Sequence, residues 1–202
     1  MTIRKGEEWG RVGPAPVGLV VVASDAELFR VLNGSPVVTA VGLRTGDLAR
    51  TLGVGDYPDR FAHGSDVVVA PIDVGVATHE GGTHRFVCHA VARRSWWRGP
   101  LVGAFNAQFL GTWDVAPRAH PNDGFLDVVE VDRAMGVRQR WAARRRLPTA
   151  SHIPHPNIRT RRARQAEWTF TEPMDLWLDG VAVGRTRTLR VGIEPAPLTV
   201  YA

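Results

Sequence analysis

Four aspartates stand where a carboxylate could do chemistry, each beside residues that make turns. Asp123 lies in Pro121-Asn-Asp-Gly124, and Phe125-Leu-Asp-Val-Val-Glu-Val131 follows directly. Pro presets φ, Asn and Asp bond their own backbone, and Gly takes φ > 0. The run after the turn alternates apolar and acidic residues, as a half-buried strand does. A carboxylate in a tight turn, beside exposed carbonyls at the mouth of a strand, is a seat for a hard cation. The other reading is a hairpin turn that contains Asp. Asp25 falls in Ser24-Asp-Ala-Glu27, which has the Ser-x-x-Glu spacing of a capping box. Asp47 opens a second short helical stretch, and Asp179 precedes Gly180 in a turn. Acids in a first helical turn complement the dipole, so each aspartate also has a local role. His152 and His155 flank Pro154, which does not set them i, i+4 on a helix, and they read as structural. Cys88, in Phe86-Val-Cys88, reads as a buried thiol.

The elements that must position these residues come in two rhythms. Val17–Ala23 is a continuous apolar run with the valine content of a buried parallel strand. A helix over 25–32 follows, with Leu28, Val31 and Leu32 on one face and Asn33-Gly34 as its stop. Pro36–Val41 predicts a second strand, and 47–52 a second helix ended by Gly53. Strand–helix–strand–helix is an α/β unit with parallel pairing. From about Asp66 short strands alternate with Gly, Pro and Asp turns, as in a sandwich or barrel. These strands are 67–76, 83–92, 100–109, 125–131, 168–170, 176–178, 181–183, 189–193 and 198–201. A basic helix over 133–147, ended by Pro148, interrupts them. The expected fold is therefore α/β plus β: a small Rossmann-like unit over 1–70, then a β-rich, sandwich-like domain over 71–202. Residues 1–16 are expected to be poorly ordered at first.

Composition narrows the class. The 202 residues carry a net charge of +5, and 24 of the 25 basic residues are Arg, Lys5 being the exception. This favours an anionic partner without naming it. No motif of a nucleic-acid reader accompanies the arginines, so no nucleic acid is expected. A single cysteine permits no internal disulfide, and the N-terminus has no signal-peptide h-region, which points to a cytoplasmic protein. No apolar run is long enough to span a membrane.

The order of pieces resembles the bacterial diacylglycerol kinase and related lipid kinase family, whose catalytic fold is shared with NAD kinases. Asn106-Ala-Gln-Phe-Leu-Gly111 and Ala116–Val128 are similar to its N-x-x-x-x-G…P-x-A-x-x-D-D-G-x-L-D-V segment. His152-Ile-Pro-His-Pro-Asn-Ile158 resembles G-x-H-x-x-H-P-x-V, and Leu176-Trp-Leu-Asp-Gly-Val181 resembles hydrophobic-x-x-D-G-E. Val20–Leu28 falls at V-x-x-G-G-D-G-T-L, and Val41–Gly53 at P-x-G-T-x-N-D-x-A-R-x-L-G. The likeness covers about residues 17 to 201 of a chain shorter than typical members.

By this resemblance Asp25, Asp47 and Asp179 are the candidate catalytic residues. Ser24, Arg44, Thr45 and Gly46 occupy cofactor-binding positions. Asp123, with the backbone carbonyls of His120 and Phe125, would hold Mg²⁺ in a carboxylate–water network. The departures bear on activity. Ala23, Ser24 and Ala26 replace phosphate-loop glycines, and Glu27 adds negative charge. Val181 replaces the candidate general base, a loss worth about 10²–10⁴ in rate. The leading expectation is a lipid kinase relative that has lost ordinary ATP-dependent transfer and binds a lipid or other amphiphile, or runs a non-kinase reaction. In the alternative an active kinase uses Asp25 or Asp47 as base and Arg44 for phosphate, since phosphoryl transfer rests on positioning. A third reading docks the basic helix, through Arg140, Arg144 and Arg145, onto an anionic membrane or a partner chain, a homodimer included.

Overall fold

A computed structural model describes residues 9–55, 61 and 65–202. In chain order, β1 is Arg11–Pro14, β2 Val21–Val22, α1 Asp25–Leu32, β3 Ala40–Leu43 and α2 Asp47–Thr51. There follow β4 Asp66–His79, β5 Gly82–Phe86, β6 His89–Arg93, β7 Leu101–Phe105, β8 Phe109–Leu110, β9 Trp113–Asp114 and β10 Leu126–Val131. Next come α3 Val137–Arg146, a 3-10 turn Leu147–Thr149, β11 Ile158–Ala163, β12 Gln165–Leu178 and β13 Val181–Tyr201. The strand-rich α/β-plus-β expectation holds.

One large sheet runs β1-β4-β13-β12-β6-β7-β10-β11. β2 and β3 pair in parallel, and β3 pairs in parallel with the last residues of β13, so the α/β unit extends the same sheet. β4 runs through positions 70 and 71, where the two expected domains meet. The expected short C-terminal strands are segments of two long ones. Register shifts between Thr169 and Met174 in β12, and between Glu194 and Leu198 in β13, let these strands bend and serve two parts of the sheet. Three clusters of buried side chains divide the interior of the described residues. One packs Leu28, Leu43, Leu48 and Ile72 beneath the two short helices. A second packs Phe86, Leu126, Met174 and Leu176 between the long strands. The third gathers Val91, Phe105, Val115 and Val129.

Several boundaries differ from the sequence reading, each for a local reason. The 17–23 run keeps only two strand residues, because Leu19 N–H donates to Pro16 O across a turn with Gly18 at φ +79°. Val17 is consequently 95 % exposed. The second strand lies further along, over Ala40–Leu43, where it can pair with both β2 and β13. The 83–92 run breaks into β5 and β6 at Val87 and Cys88, whose N–H groups point at Asp179. β1, inside the stretch expected to be poorly ordered, pairs antiparallel with β4. The remainder of that stretch, residues 1–8, lies outside the described residues. β11, rich in arginine and without an apolar run, is a strand because β10 offers it a free edge. The basic helix begins at Val137, after a turn in which Met135 N–H donates to Asp132 O.

Candidate functional site

One half of the predicted capping box forms at the start of α1, and Glu27 reaches past the N-cap to the residue before it. Glu27 N–H donates to Ser24 Oγ at 3.4 Å, and Glu27 Oε2 accepts from Ala23 N–H at 2.7 Å. The loop is thus an ordinary helix start. It also sets Asp25 against α2. Gly46, the N-cap of α2, has no side chain to cap with, and the Asp25 carboxylate does so instead, accepting from Asp47 N–H and, at 3.4 Å, from Leu48 N–H. Gly46 must be glycine: its φ is +133°, and a Cβ there would collide with the Asp25 carboxylate. Burial, reinforced by the charge of Asp179, pushes the Asp25 pKa up to about 6. Thr45 Oγ1 donates to Ala23 O at 3.1 Å. The exposed Arg44 lies over the Phe61 ring at 5.8 Å.

Ser24, Asp25, Thr45, Gly46 and Asp47 therefore do come together, as the resemblance implies. Their polar atoms face one another. Asp47 Oδ2 meets His89 Nε2 at 3.2 Å, and Asp47 Oδ1 accepts from Gly111 N–H at 2.8 Å. Asp179, only 2 % exposed, accepts from the N–H groups of Val87 (2.7 Å), Cys88 (2.8 Å) and His89 (3.0 Å). It pins the β12–β13 turn to the start of β6. Burial raises its pKa against those hydrogen bonds and the charge of His89. Burial pushes His89 down. The hydrogen bond to Asp47 and the charges of Asp179, Asp47 and Asp25 outweigh it and leave the pKa raised. His89 sets an imidazole among these carboxylates, and sequence reasoning missed it. The only signal was a histidine inside an apolar strand. Cys88 is buried with its thiol pKa pushed well up, as a structural thiol.

The Asp123 turn is built around another residue the sequence reading passed over. Asp73 is fully buried in β4 and receives Gly124 N–H (2.6 Å) and Ala196 N–H (2.7 Å) on its carboxylate, while its own N–H donates to Pro121 O at 2.7 Å. Asn106 Nδ2 donates to Asp73 O at 2.8 Å and to Val87 O at 2.9 Å, joining this turn to the Asp179 junction. An acid interrupting the apolar 67–76 run was the available clue. Asp123 itself pairs with Arg162 and accepts from Phe125 N–H at 3.0 Å. Burial raises its pKa, and Arg162 opposes the rise. His120 Nδ1 accepts from Asn122 N–H at 3.2 Å, and its ring meets Trp9 edge-on at 4.5 Å. The Phe125 ring lies beneath the guanidinium of Arg162 at 4.7 Å. Both Asp123 oxygens are thus engaged, and no three His, Cys, Asp or Glu side chains converge on a metal position among the described residues.

A different kind of site lies beneath α3. Between β6, β7, β10 and the helix is an apolar cavity of about 100 Å³, lined among others by Trp96, Phe105, Trp113, Val129 and Met135. Arg140, Arg144 and His152 are the charged or titratable side chains that line it. His152 is 4 % exposed, and neither ring nitrogen meets a partner at full hydrogen-bonding geometry, although the Val115 backbone lies close enough to act on the ring as a weak one. Burial lowers its pKa, with the Val115 backbone and Asp114 pulling the other way. Arg144 lies over Trp113 at 5.0 Å and Trp97 at 5.3 Å. Arg140 forms the anchor of the helix. Buried to 6 % exposure, it donates to the carbonyls of Met135 (2.9 Å), Asp132 (3.2 Å), Trp96 (3.3 Å) and Gly99. It is therefore unavailable to a membrane, contrary to the sequence expectation. Arg144 and Arg145 remain exposed.

This arrangement of a β-rich body with a short α/β edge has known counterparts. The YegS C-terminal NAD kinase beta sandwich-like domain matches residues 75–202, more than half of the chain. The chain belongs to that family. The crystal structure of a diacylglycerol kinase from Bacillus anthracis str. Sterne is similar at 19 % identity and TM-score 0.66, covering 91 % of this chain and 76 % of that one. A second structure from the same strain is similar at 16 % identity and TM-score 0.67, covering 90 % and 77 %. At such identities the likeness is one of fold. No curated protein matches the chain significantly. Within the family fold, the cavity beneath α3 lies in the matched domain, whereas Asp25 and Asp47 lie ahead of it.

Proposed function

We propose that this protein binds a small amphiphilic lipid in the cavity beneath α3 and does not transfer phosphate from ATP. One observation carries the reading: the carboxylates at the nucleotide-side cluster are taken up by internal donors, while the cavity retains an imidazole without a full hydrogen-bond partner. Asp25 and Asp47 hold backbone N–H groups and His89, which leaves neither of them free to position Mg²⁺ or a hydroxyl. An apolar wall with a few convergent polar groups is the usual lining of a small-molecule site, and at about 100 Å³ this one would take a short part of a chain rather than a whole lipid. The acyl part of the ligand would lie against Phe105, Trp113 and Val129, with its polar end at His152 and Arg144. The chain's residues would then orient the ligand, exclude water and hold one hydrogen bond at the His152 imidazole.

Two titrations test this. A fluorescent fatty acid should bind saturably, and Ala143→Phe, which fills the cavity from α3, should weaken that binding at least roughly tenfold with folding retained. Calorimetry with Mg·ATP should show no binding, and incubation with ATP and dioctanoylglycerol should give no phosphorylated lipid. Lipid phosphorylation would overturn the proposal, and so would fatty-acid binding indifferent to Ala143→Phe.

A further inference from the structure

A second, larger cavity adjoins the apolar one along strand β10. Its volume is about 360 Å³, and Val115, Ala116, Arg118, Asp127, Ile153 and Thr160 are among its lining residues. That size is in the range of small-molecule sites, which the apolar cavity alone does not reach. The pleat of β10 places it. Leu126 and Val128 turn into the core between the long strands, whereas Asp127, Val129 and Val131 share the opposite face. Val131 lines the apolar cavity, Asp127 the larger one, and Val115 and Val129 line both. Asp127 and Val131 stand about 13 Å apart along the strand. On β11, Arg162 is opposite Asp127 and Thr160 opposite Val129. The charges in this wall are held apart. Among the described residues, Asp127 and Arg118 form neither a salt bridge nor a side-chain hydrogen bond. Arg162 acts on Asp127 only from beyond contact, its guanidinium being bound to Asp123 and laid over the Phe125 ring. Arg161 lies 3.9 Å from Glu130. Asp127 is thus a half-buried carboxylate with space in front of it and no side-chain donor on it.

We propose that this cavity is a binding site for a phosphate ester that carries a free hydroxyl, with Arg118 meeting the phosphate and Asp127 accepting from the hydroxyl. The ionisable groups that line it are three arginines and one carboxylate, a balance that favours an anion. A guanidinium engages two phosphate oxygens at once, and Arg118 is exposed and uncommitted. Asp127 narrows the choice further. A bare anion would leave its carboxylate without a donor and beside a like charge, whereas a hydroxyl next to the phosphate supplies the missing donor. Ile153 and Pro154 offer an apolar side to the carbon frame between the two groups. Two sources carry this chemistry: a free polyol phosphate, and the headgroup of a lysophospholipid whose chain enters the apolar cavity past Val115 and Val129. The second source rests on the function proposed above; the site itself does not.

Calorimetric titration of the intact protein tests the site with two probes, glycerol 3-phosphate and octanoyl lysophosphatidic acid. At least one should bind saturably, and glycerol 3-phosphate should be preferred about tenfold over propyl phosphate, which lacks the hydroxyls. Asp127→Ala should erase that preference. Arg118→Gln should weaken the binding of every phosphate ester about tenfold, with an unchanged melting temperature because the side chain is exposed. No saturable binding of either probe, equal affinity for esters with and without a hydroxyl, or a preference that survives Asp127→Ala would overturn the proposal. The two probes also separate the sources. Tighter binding of the lysophospholipid, with the gain removed by Ala143→Phe, identifies a lipid headgroup; equal binding of the two identifies a free ester. Protein that takes up fatty acid in the apolar cavity yet ignores both phosphate esters would lose this site and keep the function proposed above. Protein that binds glycerol 3-phosphate but no fatty acid would do the opposite.

Discussion

The cluster beneath α1 and α2 and the cavity beneath α3 treat buried polar groups in opposite ways. In the cluster, the oxygens of Asp25, Asp47 and Asp179 receive N–H donors and His89 Nε2 meets Asp47, with only His89 Nδ1 left unmatched. In the cavity, His152 sits in an apolar wall with neither nitrogen fully matched. An unsatisfied buried polar group is unfavourable, so native chains keep few of them. Retained acids in a familiar order therefore say less about chemistry than one imidazole without a full partner. The first arrangement stabilises the fold. The second leaves a vacancy that a ligand's hydroxyl or headgroup could complete.

Three experiments separate the two regions. Asp179→Ala should have the largest effect. It strands the N–H groups of Val87, Cys88 and His89 in the interior, at a cost of about 3–5 kcal/mol of stability in chemical denaturation. A loss below about 1 kcal/mol would mean that the junction is not held this way.

Next comes the pH dependence of Asp25. Its folded pKa of about 6 lies above the unfolded value of 3.8, so the folded state holds an extra proton between those values. The contribution is therefore greatest below the unfolded pKa and is lost as pH rises from about 4 to about 6, by about 2–3 kcal/mol. Asp127, also raised by burial to about 6, acts in the same direction. The histidines lowered by burial, His79, His120 and His152, oppose it at the acid end. The difference in stability between the parent and Asp25→Asn, measured across this range, isolates Asp25. A difference that does not vary with pH would remove the raised pKa.

His152→Leu should have the smallest effect on stability, within about 1 kcal/mol and of either sign, because no full hydrogen bond is lost and the replacement is apolar. The same variant should weaken fatty-acid binding several-fold. Destabilisation of the size expected for Asp179→Ala would erase the contrast between the two regions.

Much of the architecture was legible in local pattern. The Ser24 cap on α1 formed as expected because its geometry needs only neighbouring residues, with Glu27 bonding Ala23 in place of the N-cap. The change to a strand-rich chain after Asp66 was readable from turn residues and valine runs. Asp73 and His89 were not legible as site residues, since their partners lie far along the chain: Gly124 and Ala196 for one, Asp47 for the other. Arg140 misled for the same reason. A basic helix pattern does not distinguish an arginine that meets solvent from one that caps four carbonyls.

By itself, then, the sequence determined the class of fold, the order of its elements, the family likeness and the presence of acids at turns, all of which depend on near neighbours. Only the tertiary structure decided which acids are free and which are internal acceptors, because a carboxylate's availability depends on donors brought in from other strands. It likewise decided that α3 covers a cavity on one side, since the two faces of a helix acquire different meanings only when one of them is packed.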